Sequence, residues 1–380
     1  MKILYHHRIA SKDGQYVHVE ELTNALKKLG HEIIMVGPSV VETDDFGADG
    51  GFVAVLKKYM PGVAYELLEL MYSFVAYFKL AKAYKQHKPD ILYERYNLYL
   101  PSGVWLKKRF KIPMILEVNA PLYEERSKYG KISIKWLAKW SENYAWRSAD
   151  IVLPVTGVLA DYIRKIGVSD DRINVIPNGI DWSKFESVPD VVTAKENLGI
   201  SNKLVLGFVG FVREWHGLEK MVDLIAVENQ DAHLLIVGDG PAKESVLSRA
   251  KMLNVSDKVT WTGIVNRNEV ANYIAAFDIA LQPEVVDYAS PLKLFEYLAL
   301  GKAIIAPDKA NIREILTHDK NALLFNPDES NAIELAIKQL FSDEDLIRRL
   351  GSEAKALITN KNLTWLDNAK QVINLAKGLV

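Results

Sequence analysis

Residues 290–307 read SPLKLFEYLALGKAIIAP, and this stretch decides the fold. Its first part, LKLFEYLAL, is apolar nearly all round and is closed by Gly301, which predicts a buried helix with a glycine at its end. Its second part, AIIA, is a short unbroken apolar run, as expected of a parallel strand covered on both faces. Ser290 is placed to cap the helix and Pro291 to take its first position. Lys293 and Glu296 then share one face, because positions i and i+3 are neighbours. A lysine in the first turn opposes the helix dipole, and the N–H groups of that turn lack partners. An anion between the helix start and Lys293 satisfies both, and phosphate is the natural candidate. Glu296, one turn deeper, is placed to accept hydrogen bonds from ribose hydroxyls. A plain Lys–Glu surface pair is the alternative that the helix pattern leaves open.

The same helix–strand alternation runs along the chain. The runs KILYHH, EIIMVG, ILYERY, PMILEVN, DIVLPVT and NVIPNG form one set. LVLGFVG, LLIVGDG, KVTWTG, DIALQP, AIIAP and ALLFNP form a second. This predicts an α/β fold with two Rossmann-like parallel-sheet domains of about six strands each. Turn residues cluster in GIDWSKFESVPDVVTAKENLGI, so the domains are set at 1–185 and 186–360. Residues 361–380 read as a C-terminal helix able to pack back on the first domain. Ligands of such sheets sit beyond the carboxyl ends of the strands. That singles out Gly14, Asn119, Arg213, Gly238, Ile264 and Ser290, around a cleft that the two domains are expected to face.

Composition sets the outer bounds. A chain of 380 residues exceeds what one core usually serves. With 49% hydrophobic and 25% charged residues it is of ordinary globular make-up, and a net charge of −1 gives no general attraction to nucleic acid. There are no cysteines, which excludes disulfides, thiolate metal sites and a cysteine nucleophile, and fits a cytoplasmic location. MKILYHHRIA is too short an apolar run for a signal peptide. The most membrane-like stretch, LELMYSFVAYFKLA, is far shorter than the roughly 20 apolar residues of a span and is expected to be a buried helix.

The segment EVVDYASPLKLFEYLALGKAIIAPDKANIREIL resembles the nucleotide-sugar signature of GT-B glycosyltransferases of family GT4. SKDGQYVHVEELTNALKKLGHEIIMVGP resembles that family's first glycine loop and helix, VIPNGIDWSKF its Pro-Asn-Gly segment, and LLIVGDGP its Val-Gly-x-Gly-Pro turn. The order and spacing of the four motifs cover nearly the whole chain. The resemblance implies GT-B architecture and transfer of a sugar, with retention, from a nucleoside diphosphate donor bound mainly by the second domain. The acceptor, a glycan or a lipid-linked molecule, would bind the first. It implies that Glu296 holds the ribose and that the backbone from Tyr288, Ala289 and Ser290 through Pro291 and Leu292 to Lys293 cradles the diphosphate. Gly263, Ile264 and Val265 would edge the base, and Gly14, Gln15 and Gly238 would approach the donor. UDP is the favoured nucleotide, and no cofactor or divalent metal is required.

The chain departs from the family's pattern in three places. Tyr288 stands where the signature's first glutamate falls, with Glu284 and Asp287 close by as substitutes. In GFVREWHG, Phe211 and His216 stand where a basic pair is usual, and Arg213 between them supplies the cation, a strong bidentate phosphate partner. His216 adds charge or a hydrogen bond, depending on pH. Asn119 stands where the first domain often carries a histidine. It can donate to a sugar hydroxyl but cannot shuttle protons. Glu117, two residues earlier on the same strand face, is the nearest ionisable group.

Glu94 and Arg95, at another strand end, either face the acceptor or form buried ion pairs. His6 and His7 are read as structural. Asp343–Asp345 (DED) is read as the acidic first turn of a helix and not as a metal motif. Lys107, Lys108, Arg109, Lys111, Arg126, Lys128, Lys131, Lys135 and Lys139 crowd the first domain, with Trp105, Trp136 and Trp140 interleaved. This is either a solvated face or a peripheral contact with the inner face of an anionic membrane. The expected mechanism is front-face transfer, with Arg213 and Lys293 stabilising the departing diphosphate, whose own oxygen takes the acceptor proton. A nucleotide-sugar epimerase and a non-catalytic partner subunit of the same fold stay open. NAD-dependent chemistry is disfavoured, because no Gly-x-Gly-x-x-Gly follows the first strand.

Overall fold

The computed structural model describes residues 1–10, 14–38, 60–130, 132–227 and 231–380, with side chains in the first helix from Tyr16 onward. Two compact units form. The first comprises Met1–Asn178, Tyr288–Ser290 and Trp365–Val380, and the second Gly179–Asp287 and Pro291–Thr364.

In the first unit, β1 (Lys2–His6), β2 (Glu32–Val36), β3 (Ile91–Arg95), β4 (Met114–Val118) and β5 (Ile151–Pro154) form a parallel sheet ordered β2-β1-β3-β4-β5. The expected sixth strand at NVIPNG is corrected. Ile173 makes a single bridge to Val152, and the N–H groups of Asn174 and Ile176 bond along β5. Pro177 then has no N–H with which to continue the ladder.

Register explains the charged strand ends. His6 lies opposite Glu94 across β1–β3, and Arg95 opposite Glu117 across β3–β4. His6 Nδ1 lies 2.5 Å from Glu94 Oε2, and Arg95 Nη1 donates to Glu117 Oε1. Glu94 is 1% exposed and Arg95 8%, so both are spent on partners in neighbouring strands.

The helix Gly62–His87 overturns the expectation of burial for LELMYSFVAYFKLA. Its inward side carries Glu66, Glu69 and Ser73 with Ala76 and Leu80, while Leu67, Leu68, Met71, Phe74, Val75 and Phe78 are exposed. The buried carboxylates are tolerated because they are satisfied. Glu66 accepts from the Tyr99 hydroxyl (2.9 Å) and from the N–H groups of Ser133 (2.5 Å) and Ile134 (2.8 Å). Glu69 takes both terminal nitrogens of Arg126, at 2.8 and 3.3 Å.

Nearby, Glu142 is 6% exposed and accepts from the Tyr96 hydroxyl (3.0 Å) and the Tyr123 N–H (3.1 Å). Burial raises its pKa from 4.5 to about 7, against those hydrogen bonds. A raised carboxyl pKa means the folded state holds the extra proton between these values. The stability it contributes is present at low pH and is lost as pH rises through about 7, up to about 3 kcal/mol. Glu142→Gln is therefore expected to raise the melting temperature at pH 8 relative to wild type, with the difference vanishing near pH 5. Scanning calorimetry at both pH values measures this.

The helix Trp365–Lys377 packs on Gly14–Lys28 within the first unit. Trp365 sits edge-on to His18 at 4.8 Å, and Asn368 Nδ2 donates to the Pro177 carbonyl (2.7 Å).

The second unit has β6 (Leu204–Val209), β7 (Ala232–Val237), β8 (Val259–Trp261), β9 (Ile279–Leu281), β10 (Ala303–Pro307) and β11 (Leu323–Phe325). All are parallel, in the order β11-β10-β9-β6-β7-β8. Strand order reverses between β6 and β9, and the crevice beyond their carboxyl ends is the ligand position that such sheets favour. The helix Leu292–Ala299 packs there, with Leu294, Phe295, Tyr297 and Leu298 at 0–1% exposure. Buried Tyr297 ties the two strand ends together. Its hydroxyl accepts from the Val209 N–H (3.1 Å) and donates to the Leu281 carbonyl (3.3 Å).

Candidate active site

The turn after β6 and the first turn of the helix Leu292–Ala299 bring charge to one place in the second unit. Lys293 Nζ stands 3.8 Å above the centre of the Phe208 ring and is held over Gly210, where an added Cβ would lie 3.4 Å from it. Gly210 has φ +124°, a conformation that side chains rarely adopt. Burial depresses the Lys293 pKa to about 7, offset only in part by Glu296. This amine is therefore poised to gain a proton when an anion arrives.

His216 is 9% exposed and packs at 4.9 Å on Phe208. Its Nδ1 accepts the Arg213 N–H at 3.0 Å, which leaves the proton on Nε2. Burial first, then the charge of Lys293, lowers its pKa to about 3. His216 is thus a neutral hydrogen-bonding ring that shapes the turn, and the option of a pH-dependent cation is corrected. Arg213 is exposed, with its guanidinium 5.0 Å from the centre of the Phe211 ring and 5.6 Å from that of Trp215.

The loops after β6, β7 and β8 run against one another as bare backbone. Gly210 N–H bonds to the Val237 carbonyl, Val212 N–H to Asp239, and Gly238 N–H to Gly263. A Cβ on Gly238 would fall 2.2 Å from the Gly210 carbonyl oxygen, and one on Gly240 2.1 Å from that of Val212. Ile264, next in this wall, is 52% exposed, and Val265 packs partly on the core.

Two details of the opening motif are corrected. Pro291, not Ser290, is the residue before the helix, and no side chain caps it. The Ser290 hydroxyl accepts the Asn178 N–H (3.1 Å) instead. Gly14 opens the helix Gly14–Lys28 and does not lie in a loop, while the Gln15 side chain, residues 11–13 and Lys131 lie outside the described residues. Glu284 and Asp287, the substitutes for the missing glutamate, both pair with Lys309, at 2.6 and 3.1 Å. Lys309 went unremarked in the sequence because it follows β10 without a motif of its own. Asp343 caps the helix Glu344–Asn360 by accepting the Leu346 N–H (2.8 Å), as expected of an acidic first turn.

In the first unit, Glu117 is 2% exposed and receives the Tyr93 hydroxyl (2.8 Å), Asn119 Nδ2 (2.5 Å), His18 Nε2 (3.0 Å) and Arg95. Burial alone would raise its pKa. The charges of His18 and Arg95 and the hydrogen bonds from His18 and Tyr93 outweigh burial and hold it well below the usual carboxylate range. A saturated anion of this kind is no proton acceptor at neutral pH, so Glu117 orients Asn119 and His18. Asn178 extends the network. Its Nδ2 donates to the Ser290 carbonyl (2.6 Å), which turns Oδ1 toward His18 Nδ1 (2.7 Å). Tyr288, also of this unit, donates its hydroxyl to Glu125 (2.9 Å), and its carbonyl accepts from Thr156 (2.9 Å). His18 and Asn178 were inside recognised motifs, but nothing in the sequence set them 2.7 Å apart.

Comparison with known proteins identifies the family and the fold. The family model "Glycosyltransferase Family 4" matches residues 12–184, and "Glycosyl transferases group 1" matches residues 192–357. An uncharacterized glycosyltransferase of Methanocaldococcus jannaschii is 23% identical over 386 residues, covering 97% of this chain and 95% of the relative. The alpha-monoglucosyldiacylglycerol synthase of Streptococcus pneumoniae is 21% identical over 316 residues, covering 80% of this chain and 70% of the relative. The crystal structure of Anabaena HepE in complex with UDP superposes with a TM-score of 0.75 at 18% identity, over 100% of both chains. The fold is GT-B.

Proposed function

Since the chain belongs to the glycosyltransferases of the group 1 and family 4 type, we propose that it moves a hexose-type sugar from a nucleoside diphosphate, UDP favoured, with retention, to a glycan or lipid-linked acceptor. The observation that carries the donor reading is Lys293, whose buried amine lies over Gly210 at the strand-order reversal of the second unit, beside the Arg213–His216 turn. HepE, of the same fold, is described with UDP and with UDP-glucose. A relative named for a glucosyldiacylglycerol supports a lipid acceptor. An enzyme working at the cytoplasmic face of the membrane fits this reading.

In this proposal Arg213 and Lys293 hold the diphosphate and stabilise its growing charge as the bond to the sugar breaks. Glu296 takes the ribose, and the bare backbone at Gly238 and Gly263–Val265 admits the nucleotide. With Glu117 saturated and His216 neutral, no described group at these positions is set up as a strong base. That suits a departing phosphate oxygen which accepts the proton of the acceptor hydroxyl.

The test is UDP binding by calorimetry in two buffers of different ionisation enthalpy. Lys293, with a pKa of about 7, is mostly neutral at pH 8.5, and a bound diphosphate favours its ammonium. Binding at pH 8.5 is expected to take up close to one proton, and affinity to fall up to about tenfold per pH unit above 7. Lys293→Met should abolish the uptake. Binding without proton uptake, or unaffected by that substitution, would place the diphosphate elsewhere.

A further inference from the structure

We propose that the outward face of the helix Gly62–His87, with the aromatic and basic surface beside it, docks the first unit on an anionic lipid bilayer. The helix then lies in the interface without crossing it. The proposal builds on the lipid-linked acceptor reading, but its test uses neither donor nor acceptor, so the two can fail separately.

The polarity of this helix is inverted relative to an ordinary surface helix, which turns its apolar stripe to the core. Here both acidic residues of the helix, Glu66 and Glu69, face inward and are satisfied there. Met71, Phe74 and Phe78, at spacings of three and four, stand 62%, 54% and 68% exposed. The outer stripe then turns basic, since Lys79, Lys82 and Lys85 in the last turns are exposed. With no exposed carboxylate along its 26 residues, about 39 Å at 1.5 Å per residue, the helix presents apolar side chains followed only by positive charge. That is the pattern of a helix lying in a lipid headgroup boundary. Among the described residues no helix is long and apolar enough to cross a membrane.

The surface continues beyond the helix through direct contacts. Phe74 meets the Trp105 ring at 5.1 Å. Lys108, one turn after Trp105, places Nζ 4.8 Å above the Tyr144 ring, and Tyr144 stacks on Trp140 at 5.2 Å. Trp136, one turn before Trp140, is 73% exposed. Exposed tryptophans amid lysines are the side chains that settle at the water–lipid boundary. The positive charges select anionic headgroups, the chemistry that a zwitterionic surface lacks.

The experiment is flotation of the full chain with two kinds of vesicle. One is phosphatidylcholine alone, and the other contains about one third phosphatidylglycerol. The expected result is binding to the anionic vesicles about tenfold or more tighter than to the neutral ones, weakened by high salt. The double variant Phe74→Ser/Phe78→Ser should lose about tenfold in partition on both kinds. Lys79→Glu/Lys82→Glu/Lys85→Glu should lose the preference for anionic lipid. Both sets of changes lie on exposed positions, and an unaltered circular dichroism spectrum and melting point would show that the fold survives. Absence of binding to anionic vesicles, or variants that bind like the parent, overturns the proposal. So does a self-associated state in sedimentation that the Phe variants dissolve while vesicles are ignored, since the face would then be covered by a second copy.

Discussion

Arg213→Ala is expected to lower turnover by about 10²–10³-fold, roughly 3–4 kcal/mol of transition-state stabilisation, while leaving the protein folded. Its guanidinium is exposed over the rings of Phe211 and Trp215, so truncation opens no core. The backbone N–H of residue 213, which holds His216, is kept. The effect should fall more on kcat than on UDP affinity, because negative charge on the leaving phosphate grows as the sugar departs. Steady-state kinetics with a UDP-sugar, beside a UDP titration, separate the two. Near-normal turnover, or an equal loss of ground-state binding and rate, would remove Arg213 from the reaction.

Glu117→Gln is expected to cost about 3–5 kcal/mol of stability in the first unit, a fall in melting temperature on the order of 10 °C. The substitution keeps the shape and removes the charge. Arg95, at 9% side-chain exposure, would then lie buried without the anion that pairs it. The Gln amide would keep one acceptor oxygen for Arg95 and Asn119 and turn its NH2 toward the Tyr93 hydroxyl and His18 Nε2, which must then reverse their roles. Calorimetry of the variant measures the loss, and a change below about 1 kcal/mol would show that the network is not held by charge.

The fold was legible because parallel strands announce themselves as unbroken apolar runs between helices, and because Gly301 and AIIA close one such unit. Strand order was not legible. Without β2-β1-β3-β4-β5, nothing told that Glu94 belongs to His6 and Arg95 to Glu117, and both were candidates for the acceptor. Ser290 has every local mark of an N-cap, yet a contact with Asn178, far away in sequence, uses its hydroxyl. The helix Gly62–His87 was misjudged because apolar content measures how much could be buried, not which side is. Only the contacts of Glu66 and Glu69 reveal that the polar side was chosen. Lys293 and Glu296 were readable because local helix geometry alone sets their relation, whereas the depressed pKa of Lys293 comes from the burial of its amine.

The packing of Trp365–Lys377 on Gly14–Lys28 has a bearing on how the molecule is made. Translation delivers the five strands of the first sheet well before Trp365–Lys377, and the second unit emerges in between. The nascent chain must therefore carry an uncovered apolar face of its opening helix through most of synthesis. Vectorial completion, one half and then the other, is closed to it. The ribosome has to release Trp365–Lys377 before the first half can finish.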